Sequence, residues 1–118
     1  MVNVHRLERW QDMPGLLARY FHPREISASL AKGSTAVLSL SARFAAKEAY
    51  GKALGTGLAG IVLKDILVIN AHNDKPEIEV FGTALEAFLQ SGANRIHISL
   101  THERDYDMAI VLLEHYRE

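Results

Sequence analysis

The stretch from Ala42 to Leu58 places ionic side chains on a segment that is otherwise typical of an alanine-rich helix. Three cations and one carboxylate come first and two glycines follow; the charged residues are Arg43, Lys47, Glu48 and Lys52. Arg43 and Lys47 carry like charge at positions i and i+4, which slightly destabilises an isolated helix. An anionic group held near both cations would offset that repulsion. The chemistry that this pattern predicts is the binding of an anion.

The plain alternative is a helix face exposed to water, because charged residues are mostly exposed. At about 100° per residue, the alanines at 45, 46, 49 and 53 fall on one side and the charged residues spread over the other. Glu48 and Lys52 attract each other at the same i,i+4 spacing, whatever lies outside the helix. Gly55 and Gly57 follow the helix instead of preceding it, so they do not form a P-loop. Spacing alone leaves both interpretations open.

Composition narrows the classes of protein to which the chain can belong. Its 118 residues suit one domain, residues 1–118, and its formal net charge of −1 predicts neither nucleic acid nor membrane as a partner. The absence of cysteine excludes disulfides, thiolate metal sites and a cysteine nucleophile. No apolar run approaches the roughly 18 residues of a membrane helix, and no signal pattern opens the chain. These features favour a soluble cytoplasmic protein.

The elements that must position the charged residues are predicted from periodicity and from helix breakers. Helical segments are expected at residues 7–21 with a break near Met13, at 22–33 with Pro23 near the start, and at 34–54. Strands are expected at the N-terminus and at 65–71, 77–82, 95–102 and 108–116, with a further helix over 83–92. Helices followed by strands with hairpin-length turns predict an α+β fold with a largely antiparallel sheet packed with helices.

A resemblance gives these residues a more specific meaning. The segment RFAAKEAYGKALGTGL, Arg43 to Leu58, is similar to the signature of the holo-acyl-carrier-protein synthases, small 4′-phosphopantetheinyl transferases with a helix of the form F-x-x-K-E-A-x-x-K. The matching positions are Phe44, Lys47, Glu48, Ala49 and Lys52. The closing segment RIHISLTHERDYDMAIVLLE and the short sequences PREI and DKP also resemble that family, in the right order. The resemblance covers nearly the whole chain.

The family to which the chain is similar implies an enzyme with the 4′-phosphopantetheinyl transferase fold, assembled as a homotrimer. The implied reaction moves 4′-phosphopantetheine from coenzyme A to a serine of apo acyl carrier protein, releases 3′,5′-ADP and depends on Mg²⁺. Glu48 is the expected Mg²⁺ ligand, since Mg²⁺ needs only one or two carboxylates beside phosphate and water. Lys52 is expected near the transferring phosphate, as a second catalytic residue. The residues expected to bind coenzyme A are Arg43, Lys47, Gly55, Thr56, Gly57, Lys75 and Pro76.

A histidine is the third catalytic residue that the resemblance implies. Ile96, Ile98 and Leu100 form one face of a predicted strand, and His102 lies at the strand end. The resemblance aligns His102 with the family histidine, whose role would be to bind coenzyme A or to assist proton transfer. His97 lies in the middle of the strand, and we expect it to have a structural role or none. No role is predicted for the remaining histidines, which lack the spacing of metal ligands: His5, His22, His72 and His115.

One feature of the family is missing at the N-terminus. The family's first strand carries Gly-x-Asp-Ile-Val-x-x-x-Arg, in which the Asp is the second Mg²⁺ carboxylate. Aligning Val2 and Arg6 with that pattern places the Asp one residue before Met1. We therefore expect a truncated N-terminal strand, because either the natural protein is longer or the ligand has been lost. With Glu48 alone, Mg²⁺ would bind more weakly. The alternative function is a module that binds coenzyme A or carrier protein with weak or no turnover.

Cations beside apolar side chains near the N-terminus predict a docking surface for acyl carrier protein, which is acidic. The expected residues are Arg6, Arg9, Trp10, Met13, Arg19 and Arg24. The alternative is an ordinary amphipathic helix, with its arginines in water and its apolar residues in the core. A third class of protein also stays open, namely an unrelated α+β oligomer in which the charged helix is simply solvated.

Overall fold

Helices dominate the first half of the chain and strands the second, as periodicity predicts. The computed structural model describes residues 1–71, 73–103 and 105–117; His72, Arg104 in the predicted last turn, and Glu118 lie outside these ranges. The helices are α1 (Pro14–Tyr20), α2 (Pro23–Leu30), α3 (Ala36–Ala53) and α4 (Gly82–Gln90). The strands are β1 (Val2–Asn3), β2 (Ile66–Asn70), β3 (Pro76–Val80), β4 (Arg95–Glu103) and β5 (Tyr106–Glu114). The 3-10 turns are Val4–Leu7, Trp10–Asp12, Gly33–Thr35 and Leu63–Asp65.

Prolines set the beginnings of the first two helices. Met13 leaves the helical region at φ −124° and ψ 77°, and α1 begins at Pro14, where a missing N–H costs no hydrogen bond. The predicted break near Met13 is therefore confirmed. α2 begins at Pro23, and the preceding His22 accepts a hydrogen bond from the Arg24 backbone N–H at 3.0 Å. The predicted start near Pro23 is confirmed as well.

The strands form two antiparallel sheets, whereas a single sheet was expected. One sheet has the order β1-β5-β4, and the other is the β2-β3 hairpin. The helix α4 lies between β3 and β4 in the chain. In the three-stranded sheet Asp107 is central, with Val2 opposite it on one side and His102 on the other. The mixture of helices and antiparallel strands confirms the predicted α+β class.

The long helix α3 contacts strands of both sheets and connects two apolar clusters. The first cluster contains Val2, Leu7, Leu17, Phe21, Leu40, Phe44 and Ala45. The second contains Ala46, Tyr50, Ile66, Val68 and Ala84. Because α3 supplies residues to both clusters, packing fixes the direction of its buried side chains along most of its length. Among the helices of the described chain, none combines the length and hydropathy that a bilayer crossing requires.

Candidate active site

The charged residues of α3 divide into two groups that point in different directions. The side chains of Arg43 and Lys47 are buried, with 6% and 0% of their surfaces exposed. Glu48 is half-buried and Lys52 is exposed. The alternative of a helix face exposed to water is therefore wrong for Arg43 and Lys47. The reason is that the core face of α3 is wide enough to include positions 43 and 47 beside the alanines.

Lys47 is held by acceptors from three other elements. Its Nζ donates to Glu25 Oε1 at 2.7 Å, to the Leu63 carbonyl oxygen at 2.9 Å, and to the Ile66 carbonyl oxygen. Burial lowers the pKa of Lys47, and the negative charge of Glu25 acts in the opposite direction. Three acceptors satisfy all three N–H groups of an ammonium. Lys47 therefore has no donor left for a phosphate in this chain.

Glu25 supplies the anion that the spacing of Arg43 and Lys47 predicts. Its carboxylate is 1% exposed, and besides Lys47 it accepts hydrogen bonds from the backbone N–H groups of His22 at 2.9 Å and Val68 at 3.1 Å. The anion thus belongs to the protein rather than to a ligand. The sequence carries one signal for it, a Glu at the third position of a helix that begins with proline, where the side chain can reach back to the helix start.

Arg43 makes the matching connection one turn earlier. Its Nε donates to the Val68 carbonyl oxygen at 3.1 Å, and its Nη1 donates to the hydroxyls of Ser29 at 3.3 Å and Ser39. Burial lowers the pKa of Arg43, and Glu25 opposes that effect. Both cations that were expected to bind coenzyme A are thus occupied inside the fold. The geometry offers no support for that role of Arg43 or Lys47, and it assigns them to holding α2, α3 and β2 together.

Glu48 and Lys52 have the opposite character. Glu48 Oε1 is buried, yet it has no hydrogen-bond partner among the described residues. Such an oxygen costs free energy unless a cation or a donor comes to it. Lys52 follows one turn later on α3 with its side chain exposed. The two residues present a carboxylate oxygen without a hydrogen-bond partner in the described chain and, one helical turn later, an exposed ammonium group. This combination suits a metal ion and a phosphate.

The fit of Glu48 to Mg²⁺ can be judged from its donor type and surroundings. Mg²⁺ prefers carboxylate oxygen and usually keeps several water or phosphate ligands. Within residues 1–71, 73–103 and 105–117, no group of three or more His, Asp or Glu side chains is placed to hold a metal. That pattern is unsuited to a metal enclosed by protein ligands. A single carboxylate with an unpartnered oxygen fits an open Mg²⁺ site.

The glycine loop after α3 is folded back onto the helix. Gly55 and Gly57 have φ of +83° and +66°, a region that disfavours side chains. The Gly57 N–H donates to the Gly51 carbonyl at 3.0 Å, and a Cβ on Gly51 would lie 2.8 Å from the Gly57 carbonyl carbon. Gly51 is a residue that sequence reasoning missed, although a glycine inside a helix is a signal of close packing. Thr56 at the loop tip lines a cavity of about 460 Å³ with residues of α4.

Lys75 and Pro76 lie at a different cavity of the single chain. Its volume is about 510 Å³, and its lining includes Phe88, Asn94 and His97. It shares no lining residue with the cavity at Thr56. Within one chain, the residues expected to bind coenzyme A are thus not gathered into one pocket.

His102 ends the core-facing side of β4. His102 lies on the same face of β4 as Ile96, Ile98 and Leu100. Its Nδ1 is 2.9 Å from Oδ1 of Asp107 on β5. Asp107 is a second residue that sequence reasoning missed. Asp107 and Ala109 are two residues apart on the strand, so they face the same side of the sheet. Because Ala109 packs on the core, the sequence signal is a carboxylate at an inward-facing position.

The predicted carrier-protein surface is largely exposed. Its four arginines and Met13 face solvent, with 49% of Met13 exposed. Trp10 is half-buried instead, because its ring stacks on Tyr20 at 5.4 Å between centroids and meets the edge of Phe44 at 5.5 Å. The guanidinium of Arg6 lies 5.8 Å from the centre of the same Phe44 ring. The surface is therefore anchored to α3 one turn before Glu48.

The structure brings some of the predicted site residues together and leaves others apart. Glu48, Lys52 and the glycine loop follow one another along the second half of α3 and its end. His102 lies elsewhere: its partner Asp107 is opposite Val2, and Val2 packs with Leu40 and Phe44 in the first half of α3. In one chain, His102 and Lys52 are thus at different levels of the helix.

Known proteins share both the fold and the sequence of this chain. A family model described as the 4′-phosphopantetheinyl transferase superfamily matches residues 1–111. The holo-[acyl-carrier-protein] synthase of Treponema denticola is 52% identical over 114 residues, which are 97% of this chain and 93% of that protein. The crystal structure of the Neisseria meningitidis holo-[acyl-carrier-protein] synthase has a TM-score of 0.82 and 32% identity, covering 96% of this chain and 92% of that one.

A further relative of known structure carries a ligand. The Helicobacter pylori holo-[acyl-carrier-protein] synthase, solved in complex with coenzyme A, has a TM-score of 0.79 and 25% identity, over 96% of this chain and 95% of that one. An unrelated α+β oligomer is excluded by these matches, and the family implied by the segment Arg43 to Leu58 is confirmed. The chain belongs to the 4′-phosphopantetheinyl transferase superfamily.

Proposed function

We propose that this chain transfers 4′-phosphopantetheine from coenzyme A to a serine of apo acyl carrier protein, releasing 3′,5′-ADP in a Mg²⁺-dependent reaction. The observation that carries the proposal is Glu48, whose buried Oε1 lacks a partner in the described chain and lies one helical turn from exposed Lys52. The coenzyme A complex of the Helicobacter pylori relative supports the choice of substrate. The use of coenzyme A also favours the cytoplasm as the compartment.

The reaction forms a bond between the serine oxygen and the phosphorus next to pantetheine, and it breaks the bond from that phosphorus to the oxygen of 3′,5′-ADP. Mg²⁺, when bound, neutralises charge on the diphosphate. Glu48 would hold that metal, and Lys52 donates hydrogen bonds to the phosphate oxygens, where negative charge builds up. The glycine loop lets the backbone approach the nucleotide, since Gly55 and Gly57 present no side chain. His102 accepts the proton of the serine hydroxyl. The leaving group is 3′,5′-ADP, which keeps the bridging oxygen as part of its 5′-phosphate.

The carrier protein binds, in this proposal, at the surface formed by Arg6, Arg9, Trp10, Met13, Arg19 and Arg24. The exposure of the four arginines supports it, because guanidinium groups in water can steer an acidic partner. Added salt should raise the KM for carrier protein while leaving the KM for coenzyme A less affected. A KM for carrier protein that is independent of salt would contradict this role of the arginines.

A homotrimer is the assembly that we propose. Support comes from the outer side of β5, where Met108, Ile110 and Leu112 are 40%, 68% and 58% exposed in the single chain. A contiguous apolar stripe of this kind is typical of an interface. In one chain His102 and Lys52 lie apart. Assembly would place His102 of one chain next to Lys52 of its neighbour, so that both could act on the same substrate. Light scattering should give the mass of three chains, and Ile110→Asp should reduce it to one.

The transfer itself is tested by incubating the protein with apo acyl carrier protein, coenzyme A and Mg²⁺. Mass spectrometry should detect the phosphopantetheine adduct, and chromatography an equal amount of 3′,5′-ADP. Glu48→Gln should lower the rate by about 10²-fold or more, as expected for loss of a group that stabilises developing charge. Glu79→Gln, which alters an exposed carboxylate on β3, is the matched control and should have no effect. Binding of coenzyme A without any adduct or ADP would overturn the proposal in favour of a binding module.

A further inference from the structure

We propose that Asp107 is a positioning residue that fixes the tautomer and the direction of His102 for proton transfer. This inference rests on the proposed function, which assigns a proton acceptor to His102. Asp107 Oδ1 lies 2.9 Å from His102 Nδ1, directly across the β4–β5 ladder. The two side chains differ in exposure, at 6% for Asp107 and 45% for His102. One end of the pair is thus anchored in the protein and the other reaches solvent.

The anchoring of Asp107 follows from its place in the sheet. It lies on the central strand, between Val2 on β1 and His102 on β4. Its side chain is 6% exposed, Oδ1 faces His102, and the buried Oδ2 has no hydrogen-bond partner among the described residues. Burial therefore keeps the carboxylate beside the imidazole. A buried carboxylate of this kind is a better orienting group than one on a flexible surface side chain.

The hydrogen bond determines which imidazole nitrogen is free. A carboxylate only accepts hydrogen bonds, so the proton of the neutral imidazole must be on Nδ1. The Nε2 lone pair is then left without that proton, on the exposed ring of His102. This is the arrangement that a general base needs, because the nitrogen that accepts the substrate proton is selected by the partner of the other nitrogen.

A second histidine–carboxylate pair on the same hairpin provides a comparison. His97 Nε2 lies 3.1 Å from Glu114 Oε1, and both side chains are exposed, at 51% and 40%. This pair engages the other ring nitrogen, and its carboxylate is not anchored in the core. The hairpin therefore contains one pair built to hold an imidazole and one ordinary surface contact. Glu114 has no part in the proposed machinery and serves as the matched control.

The tautomer is measured by ¹⁵N NMR of the histidine side chains, at a pH where they are neutral. We expect His102 to carry its proton on Nδ1 in the wild type and to shift toward Nε2 in Asp107→Ala. Asp107→Asn keeps the size of the side chain and serves as the second variant if Asp107→Ala is unstable. Its amide can accept from Nδ1 or donate to it, so the preference for Nδ1 should become weaker. Glu114→Ala should leave the His102 signals unchanged. A wild-type His102 protonated on Nε2 overturns the inference, whatever the rates.

Kinetics complete the test. Asp107→Ala should lower kcat about 10- to 100-fold, as for partners that orient histidines elsewhere, with little change in the KM for coenzyme A. The same change in a His102→Ala background should have no further effect. Transfer by Asp107→Ala at the wild-type rate, or an equal loss in both backgrounds, overturns the inference while the proposed function stands. No transfer by the wild type overturns the proposed function, and the inference falls with it.

Discussion

Lys47 and Lys52 lie five residues apart on α3, and each is accompanied by a glutamate, yet the two couples behave in opposite ways. Lys47 and Glu25 are buried and satisfy each other, with additional backbone partners on both sides. Lys52 is exposed, and Glu48 keeps a buried oxygen that has no hydrogen-bond partner among the described residues. The comparison teaches that charge alone does not mark a site. The site is where the fold leaves charged groups unsatisfied.

The buried couple also determines what the exposed couple can do. Lys47 and Glu48 are adjacent on α3, so their side chains leave the helix about 100° apart. Because Lys47 is held in place, the direction in which Glu48 leaves the helix is fixed as well. Glu25 ties Lys47 to the start of α2 and to β2 at once. A catalytic carboxylate must be held closely to its productive position. The ion pair beneath it supplies that rigidity in this chain.

The largest change in stability is expected from breaking the buried couple. Lys47→Met keeps the aliphatic stem but leaves Glu25 buried without its counter-charge. Removing one partner of a buried pair costs about 3 to 5 kcal/mol, so the variant should unfold at much lower denaturant concentration or fail to fold. Denaturant titration followed by circular dichroism measures the loss of unfolding free energy.

A double variant separates the loss of the pair from the loss of packing. Glu25→Leu combined with Lys47→Met replaces both charges by apolar groups of similar size. Such replacements of a buried pair are often neutral or stabilising, but here the Val68 N–H and the Ile66 carbonyl lose their side-chain partners. The double variant should therefore recover part of the stability that the single one loses. A single variant within about 1 kcal/mol of the wild type would contradict the contrast between the two couples.

A smaller loss is expected where the exposed couple meets the glycine loop. In Gly51→Ala the new Cβ would lie 2.8 Å from backbone of Gly57, so helix or loop must shift. Overpacking of this kind costs about 1 to 3 kcal/mol, and movement of the loop next to Lys52 should also weaken coenzyme A binding. Thermal unfolding and a coenzyme A titration measure the two effects.

The control for this change is Gly15→Ala on α1. A Cβ on Gly15 meets nothing within 4 Å, and its φ is not positive. Alanine restricts the unfolded chain, so this variant should gain about 0.4 to 1 kcal/mol. If Gly51→Ala were as harmless as Gly15→Ala, the contact between helix and loop would be unimportant for holding the site.

The sequence is sufficient for those features that depend on neighbours in the chain. The break at Met13, the start of α2 at Pro23 and the antiparallel β4–β5 hairpin follow from proline, alternation and turn length, and each is confirmed. The family follows in the same way, because its motif is a contiguous segment from Arg43 to Leu58. Features of this kind can be predicted without knowing how distant residues pack.

The interior of the site depends on contacts between distant residues. Lys47 is buried because of Glu25, 22 positions away in the sequence, and the collision at Gly51 is created by a loop that folds back. Neither follows from helical periodicity. Asp107 is different, because strand alternation alone predicts that its side chain faces inward.

Tyr50 lies on the same buried face of α3 as Lys47, and its ionisation should make the stability of the fold depend on pH. Its hydroxyl donates to the Ala84 carbonyl at 2.8 Å, and burial raises its pKa from 10.0 to about 12. For an acid with a raised pKa, the folded state binds the proton more tightly, so stability is fully present below pH 10.0 and is lost as pH rises toward about 12. The cost of burying a phenolate accounts for this loss of stability.

The measurement compares wild type with Tyr50→Phe in denaturant titrations at several alkaline pH values. Near neutral pH the variant should be less stable by about 1 kcal/mol, the usual worth of one hydrogen bond. Above about pH 10 the wild type should lose stability faster than the variant, and the two should converge. Parallel curves would show that Tyr50 is free to ionise, and that this part of α3 is less enclosed than its packing indicates.

The smallest change in stability is expected at Lys52, and it tests the comparison most directly. Lys52→Ala removes an exposed cation that has no structural partner in the described chain, so the unfolding free energy should stay within about 0.5 kcal/mol of the wild type. Transfer should nevertheless fall by about 10²-fold, because the phosphate loses a donor in the transition state. Lys32→Ala, an exposed lysine after α2, should change neither quantity. If Lys52→Ala lowered stability as Lys47→Met does, or left the transfer rate intact, the two lysines would not differ in kind, and the division of α3 into a supporting face and a reactive face would fail.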